Sequence, residues 1–268
     1  MSVGTIRIGH LYVSRLIIGG NPFGGFSHQS LDVDLEMKRY YTTRRIKETL
    51  KRAEELGINT HTSRADHHMM RLLFEYWDEG GSIQWIAQTC PLIGSISFGV
   101  RNAIAGGAKG CFIHGGVMDF LLAHNELEEV PVAIAQIREA GMAAGVAGHN
   151  PKVFEWAEQN VDVDFYMCSY YDSAPRAERA EHVAGMEERF VSEDRDAMVR
   201  LIQGLSKPVI HYKVMAGGRN DPKEAFTFVA KHLRPEDAVC VGIYTKGHPG
   251  MLEEDLELLE MGLEEADS

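Results

Sequence analysis

Cysteine is scarce: four occur in 268 residues, at Cys90, Cys111, Cys168 and Cys240, far apart and inside apolar runs. That spacing excludes a disulfide-stapled small fold and a structural zinc knot, and fits small buried hydrophobes in a reducing compartment. Positive charge is also short, with 27 Lys and Arg against 39 Asp and Glu for a formal net charge of −12. Because the basic residues are scattered, no surface that tracks nucleic-acid phosphates is expected. No apolar stretch nears the ~20 residues of a membrane span, and the N-terminal MSVGTIRIGH has neither a basic segment nor an apolar one of signal type. The expectation is a cytoplasmic protein whose partner is a small-molecule substrate, with a homo-oligomer left open.

What is present is an alternation of short β-rich runs with amphipathic helical patterns, the mark of βα units feeding a parallel sheet. Eight candidate strands can be read: Arg15–Gly19, Ile58–Thr62, Ile83–Gln88, Gly110–His114, Met142–Ala147, Val163–Cys168, Pro208–Tyr212 and Ala238–Ile243. Eight parallel strands is the count that closes a (β/α)8 barrel, with an open doubly wound sheet as the alternative, and the chain reads as one such barrel domain over residues 1–268, with TIRIGHLYV as a hairpin across its bottom. Ile46, Leu50, Ala53 and Leu56 recur at helical spacing before Gly57, and Asn150-Pro151 and Asp221-Pro222 are helix starts. Two insertions break the rhythm, Pro22–Tyr41 and Tyr171–Phe190, and segments of that length usually form lids or binding loops. The acidic tail from Met251 predicts a last amphipathic helix with a solvated face.

Six segments in order, LYVSRLIIGGNPFG, AEELGINTHTS, FIHGGVMD, IREAGMAAGVAGHNP, DVDFYMCSYYD and KPVIHYKVMAGG, make most of the chain resemble the aldo-keto reductase superfamily. The resemblance implies a (β/α)8 barrel and an Asp, Tyr, Lys and His set with NADPH as hydride source. Only the His is matched, by His114. His61 or Thr62 stands where the family's Asp falls, Asp66 near its Tyr, and Gln88 or Thr89 at its Lys. Ala147, Gly148 and Met167 occupy the positions that hold the nicotinamide amide, which makes NADPH a doubtful cofactor. Tyr212 falls near the residue that stacks on nicotinamide, and VGIYTKGHPGMLEED resembles the phosphate-binding turn.

From the residues themselves, His61, His114, His149 and His211 each stand at the C-terminal end of a candidate strand, where barrel functional groups gather. Imidazoles sharing one mouth suit a divalent transition metal such as Zn or Mn, or proton transfer. His114 is the strongest single candidate. Lys213, two residues past His211, shares its face if the strand continues that far, and is read as a nucleophile, base or anion clamp. Arg64 and Asp66, in the loop after the second strand, and Asn21 and Gln88 at strand ends are candidate substrate contacts. Tyr170 and Tyr212 join them, the former in an aromatic wall with Tyr166, Tyr171 and Tyr244.

The reading that results is a barrel enzyme performing proton-transfer chemistry of isomerase, lyase or hydrolase type on a hydroxylated, carbohydrate-like substrate, with His114, His61, Lys213 and Asp66 as catalytic groups. The alternatives are a divergent NADPH-dependent carbonyl reductase with Tyr170 or another tyrosine as proton donor, and a non-catalytic barrel that binds a metabolite or partner.

Overall fold

In a computed structural model, which describes residues 4–91, 96–181, 183, 185 and 188–266, eight parallel strands close into a barrel. The chain enters through an antiparallel hairpin, β1 (Thr5–Ile8) and β2 (Leu11–Ser14), with Thr5 opposite Ser14. Ile6, Ile8, Leu11 and Val13 join the apolar cluster that fills the barrel, so the hairpin plugs the bottom as its alternating pattern predicts. The barrel strands are β3 (Leu16–Gly19), β4 (Thr60–Arg64), β5 (Gln84–Gln88), β6 (Gly110–Ile113), β7 (Ala143–Gly148), β8 (Phe165–Ser169), β9 (Val209–Tyr212) and β10 (Ala238–Gly242), with β10 closing onto β3.

Two apolar layers divide the side chains. Ile17, Ile86, Phe112, Ala147, Met167, Ile210 and Cys240 point into the barrel, and their neighbours Ile18, Ala87, Ile113, Val146, Cys168, Val209 and Val241 pack between strands and helices. This period of two decides which strand-end residue reaches the mouth. β4 runs two residues later than the sequence suggests, so Arg64 ends a strand and does not lie in the following loop.

Helix starts follow local chemistry. Asn150 and Asp221 cap the helices Pro151–Asn160 and Pro222–His232 through the backbone N–H of Lys152 and Glu224, each with proline at the first helical position. The first insertion forms the helix Leu31–Tyr40, capped by Ser30, and it reaches the loop after β9, where Gln29 Nε2 donates to Gly217 O at 2.8 Å. The second insertion carries no regular element among its described residues; positions 182, 184, 186 and 187 lie outside them. The acidic tail forms the helix Met251–Ala266, with Leu252, Leu256 and Leu259 buried. Among the described residues, no helix is long and apolar enough to cross a membrane.

Candidate active site

At the C-terminal end of the barrel lies a pocket lined by residues of six strands or their ends and of both insertions. Its floor is Phe112, Ala147 and Met167. Above them stand Arg64, Gln88, His114, His149, Tyr212 and Lys213 from the strand ends. Asn21, Phe26 and His28 come from the segment after β3, and Arg176 comes from the second insertion. The space open to the centre of a water-sized sphere is ≈ 50 Å³. That is on the order of four such spheres, enough for a ligand of a few carbons.

Only two of the four strand-end histidines are here. His114 sits two residues beyond the inward-facing Phe112, and His149 two beyond the inward-facing Ala147. His61 is paired in register with Ile18 and Trp85, both of the outer layer, and its Nδ1 meets Ile18 O at 3.0 Å behind the sheet. His211 is likewise paired with Cys168 and Val239; its Nε2 lies 3.2 Å from Asp237 Oδ2 and its Nδ1 3.0 Å from the Tyr170 hydroxyl, all buried. The expected four-histidine metal set is therefore not assembled. Among the described residues no group of three or more His, Cys, Asp or Glu side chains could hold a metal ion.

Other expectations are corrected too. Asp66 caps the helix His67–Asp78 by accepting from Met69 N at 2.9 Å, and does not line the pocket. Tyr170 packs behind the sheet against Phe228 and His211. Tyr166 packs there on Phe154, and Tyr244 on Tyr40 and Tyr41, so the aromatic wall does not form. Lys213 does reach the pocket, but not on the face of His211: its φ of 58° is left-handed and breaks the strand alternation. His28, with the same φ of 58°, also lines the pocket. Left-handed backbone at two non-glycine residues of one cavity is strain of the kind that functional sites hold.

A short relay leads into the pocket. Asp119, inside the helix Gly115–His124, accepts from the backbone N–H of His149 and of Asn150 at 3.1 Å each, and from His149 Nδ1 at 2.6 Å. With that proton on Nδ1, Nε2 is an acceptor, and the Tyr212 hydroxyl stands 3.3 Å from it. Burial pushes the Asp119 carboxyl up to about 7, against the pull of the two backbone N–H groups, and pushes His149 well below its ordinary value. The imidazole is neutral at pH 7. Burial also raises the Tyr212 phenol well above its ordinary value, so it stays protonated.

His114 caps the helix Gly115–His124, its Nδ1 accepting from Val117 N at 3.4 Å. This leaves the proton on Nε2, which donates to nothing among the described residues. Burial first, then Arg64 and Arg176, hold His114 well below its ordinary value, so it too is a neutral donor. On the other side of the pocket, Asn21 Nδ2 donates to His28 Nε2 at 3.2 Å and His28 Nδ1 meets Glu188 Oε1 at 2.7 Å. Glu188 Oε2 accepts from Ser173 Oγ at 2.5 Å and lies 3.5 Å from Lys213 Nζ. Desolvation lowers the Lys213 amine to about 8 despite Glu188. Asp119, His28, Arg176 and Glu188 were not singled out as site residues; the lone signal for the last three is that both insertions lie at the mouth.

No family model matches the chain, and no curated protein matches it. Solved structures do. A structure from Pseudomonas aeruginosa described as an aldo-keto reductase superposes with a TM-score of 0.67 at 17% identity, over 98% of this chain and 97% of that one. The holo form of an aldo-keto reductase from Bacillus halodurans gives 0.59 at 12% identity, over 96% and 91%. The chain has the fold of the aldo-keto reductases. A truncated 3-deoxy-D-arabino-heptulosonate 7-phosphate synthase from Thermotoga maritima gives 0.57 at 11% identity, over 99% and 93%, so the likeness is one of fold and does not choose a chemistry.

The nicotinamide that this fold family implies finds few partners in the pocket. Ala147 and Met167, at the positions expected to hold its amide, are apolar floor residues, and the Tyr212 hydroxyl is engaged by His149. The residues present do not fit that group.

Proposed function

We propose that the mouth pocket is the active site of an enzyme that moves a proton on a small carbonyl- and hydroxyl-bearing molecule, an isomerase or lyase type of reaction. The observation that carries this reading is the Asp119–His149–Tyr212 relay ending in the same cavity as the free Nε2–H of His114. A carbon acid next to a carbonyl needs a base at the C–H and a hydrogen-bond donor at the oxygen that becomes negative. Tyr212 serves as the base through its neighbour: as its oxygen takes the substrate proton, its own proton passes to His149 Nε2. The Asp119 carboxylate orients the imidazole and stabilises the imidazolium that results, the role such a carboxylate plays in hydrolytic triads. His114 Nε2–H stabilises the enolate oxygen. Return of the proton to the adjacent carbon completes an isomerisation, and loss of a leaving group from the enolate completes an elimination.

A metal is not needed for these steps, because both the base and the oxyanion donor come from the chain. The test is a panel of short hydroxy-aldehydes, hydroxy-ketones and keto acids followed by NMR with and without NADPH. Cofactor-independent conversion is expected, reduced about 10²-fold or more in His114→Ala. NADPH-dependent reduction at about 1 s⁻¹, the low end of ordinary turnover, would assign the pocket to the reductases instead.

A further inference from the structure

We propose that the ligand of this pocket carries an oxyanion, a carboxylate or a phosphate, and that Arg64 and Arg176 bind it. Calling that ligand the substrate rests on the proton-transfer reading above; the binding itself does not. The chain is acidic, with a net charge of −12, yet three cationic side chains line this small cavity. Lys213 is balanced by Glu188 and Ser173. The two arginines are not balanced in this way.

Arg64 ends β4 with its guanidinium carbon 3.9 Å from the Phe26 ring centroid. Stacking fixes the guanidinium plane and leaves its edge donors free for a two-pronged contact. Among the described residues it forms no ion pair or hydrogen bond, and burial holds it below its ordinary value. Arg176 is buried, 6% exposed, and is anchored by Nη1 to Ala180 O and Glu181 O at 3.2 Å each. Its Nε is buried and has no hydrogen-bond partner among the described residues. Asp119 and Asp172 both feel its charge, but neither forms an ion pair with it among the described residues. A buried guanidinium with an orphaned N–H carries a substantial desolvation cost, and a bound oxyanion removes it.

Two further features agree. Gly115, the first residue of the helix Gly115–His124, lines the same pocket and brings a helix N-terminus with it. The arginine-bearing segment also approaches that helix so closely that a Cβ on Gly116 would lie 2.2 Å from Ala180 O, so the glycine makes room for the Arg176 loop. The volume limits the anion to a small one, such as the acid or phosphate group of a short metabolite.

The experiment is calorimetric titration of the full chain, in low-chloride buffer, with inorganic phosphate in one arm and with acetate, glycolate and malonate in another. The Arg Nε–H resonances are followed by NMR in parallel. Saturable one-to-one binding is expected in at least one arm, with the Arg176 Nε–H resonance shifting and the affinity falling about tenfold to a hundredfold in Arg176→Gln and in Arg64→Gln. Tighter phosphate assigns a phosphorylated ligand and tighter carboxylate an organic acid. No saturation in either arm overturns the proposal, as does binding that survives both substitutions. If Arg176→Gln fails to fold, Arg64→Gln decides alone. Anion binding without any proton transfer would sink the proposed reaction and leave this inference standing; proton transfer on neutral compounds without anion binding would do the reverse.

Discussion

Asp119→Asn tests the relay through its acid–base accounting. With the carboxyl pushed up to about 7 and His149 well below its ordinary value, the folded pair holds one proton, on Asp119, below about pH 6.5 where His149 is still neutral. The unfolded pair also holds one there, on the histidine. The two states bind equal numbers of protons, so the pair adds almost no pH dependence to stability in that window. In the Asn variant the folded His149 remains neutral while the unfolded one still protonates below about 6.5. The unfolded state then binds one more proton, and stability falls as pH drops, by about 1.4 kcal/mol per pH unit relative to wild type. For a chain of this size that is roughly 2–4 °C of midpoint per unit. Above about pH 7, where Asp119 is ionised, the variant also loses about 1–2 kcal/mol, since one amide oxygen replaces a carboxylate that takes a 2.6 Å charge-assisted bond and two backbone N–H groups. Thermal unfolding of both proteins from pH 7.5 to about 4.5 measures both effects. Parallel curves for the two proteins would refute the one-proton description of the pair.

Two more substitutions separate the pocket from the layer behind it. His211→Ala should cost about 1–3 kcal/mol by stranding Tyr170 and loosening Asp237, while leaving turnover per folded molecule within about twofold; a loss of turnover without loss of midpoint would contradict its placement. Gly115→Ala sets a Cβ 2.9 Å from the Tyr212 hydroxyl and 3.2 Å from His149 Cε1, so the phenol must leave the relay. Turnover should fall about tenfold or more, and an unchanged rate would remove Tyr212 from the reaction.

The architecture was legible because most strands of the barrel carry an apolar run and most are followed by a helical period. The (β/α)8 class and the hairpin follow from that rhythm. The site was legible in part. Strand-end position brings His114, His149 and Asn21 toward one mouth and the family resemblance brings Tyr212, but position alone does not give the face. Phase could not be read in INTHTSR, where polar residues occupy both faces, or in PVIHY, where both faces are buried and no alternation shows. His61 and His211 fell on the wrong side for that reason. Asp66 was a helix cap whose signature, Asp before HHMM, is weak. Arg176, Glu188 and His28 approach the pocket across 25 to 160 residues of chain, a proximity that only the closed barrel and its two insertions create.

The account stands or falls on proton exchange at carbon. In D₂O, without nicotinamide, wild-type protein should exchange the C–H next to the carbonyl of at least one small hydroxy-carbonyl or keto-acid compound, and Tyr212→Phe should lose about 10²-fold or more of that rate while still folding. Exchange at the wild-type rate in Tyr212→Phe, or no exchange on compounds that the protein reduces with NADPH, would contradict it.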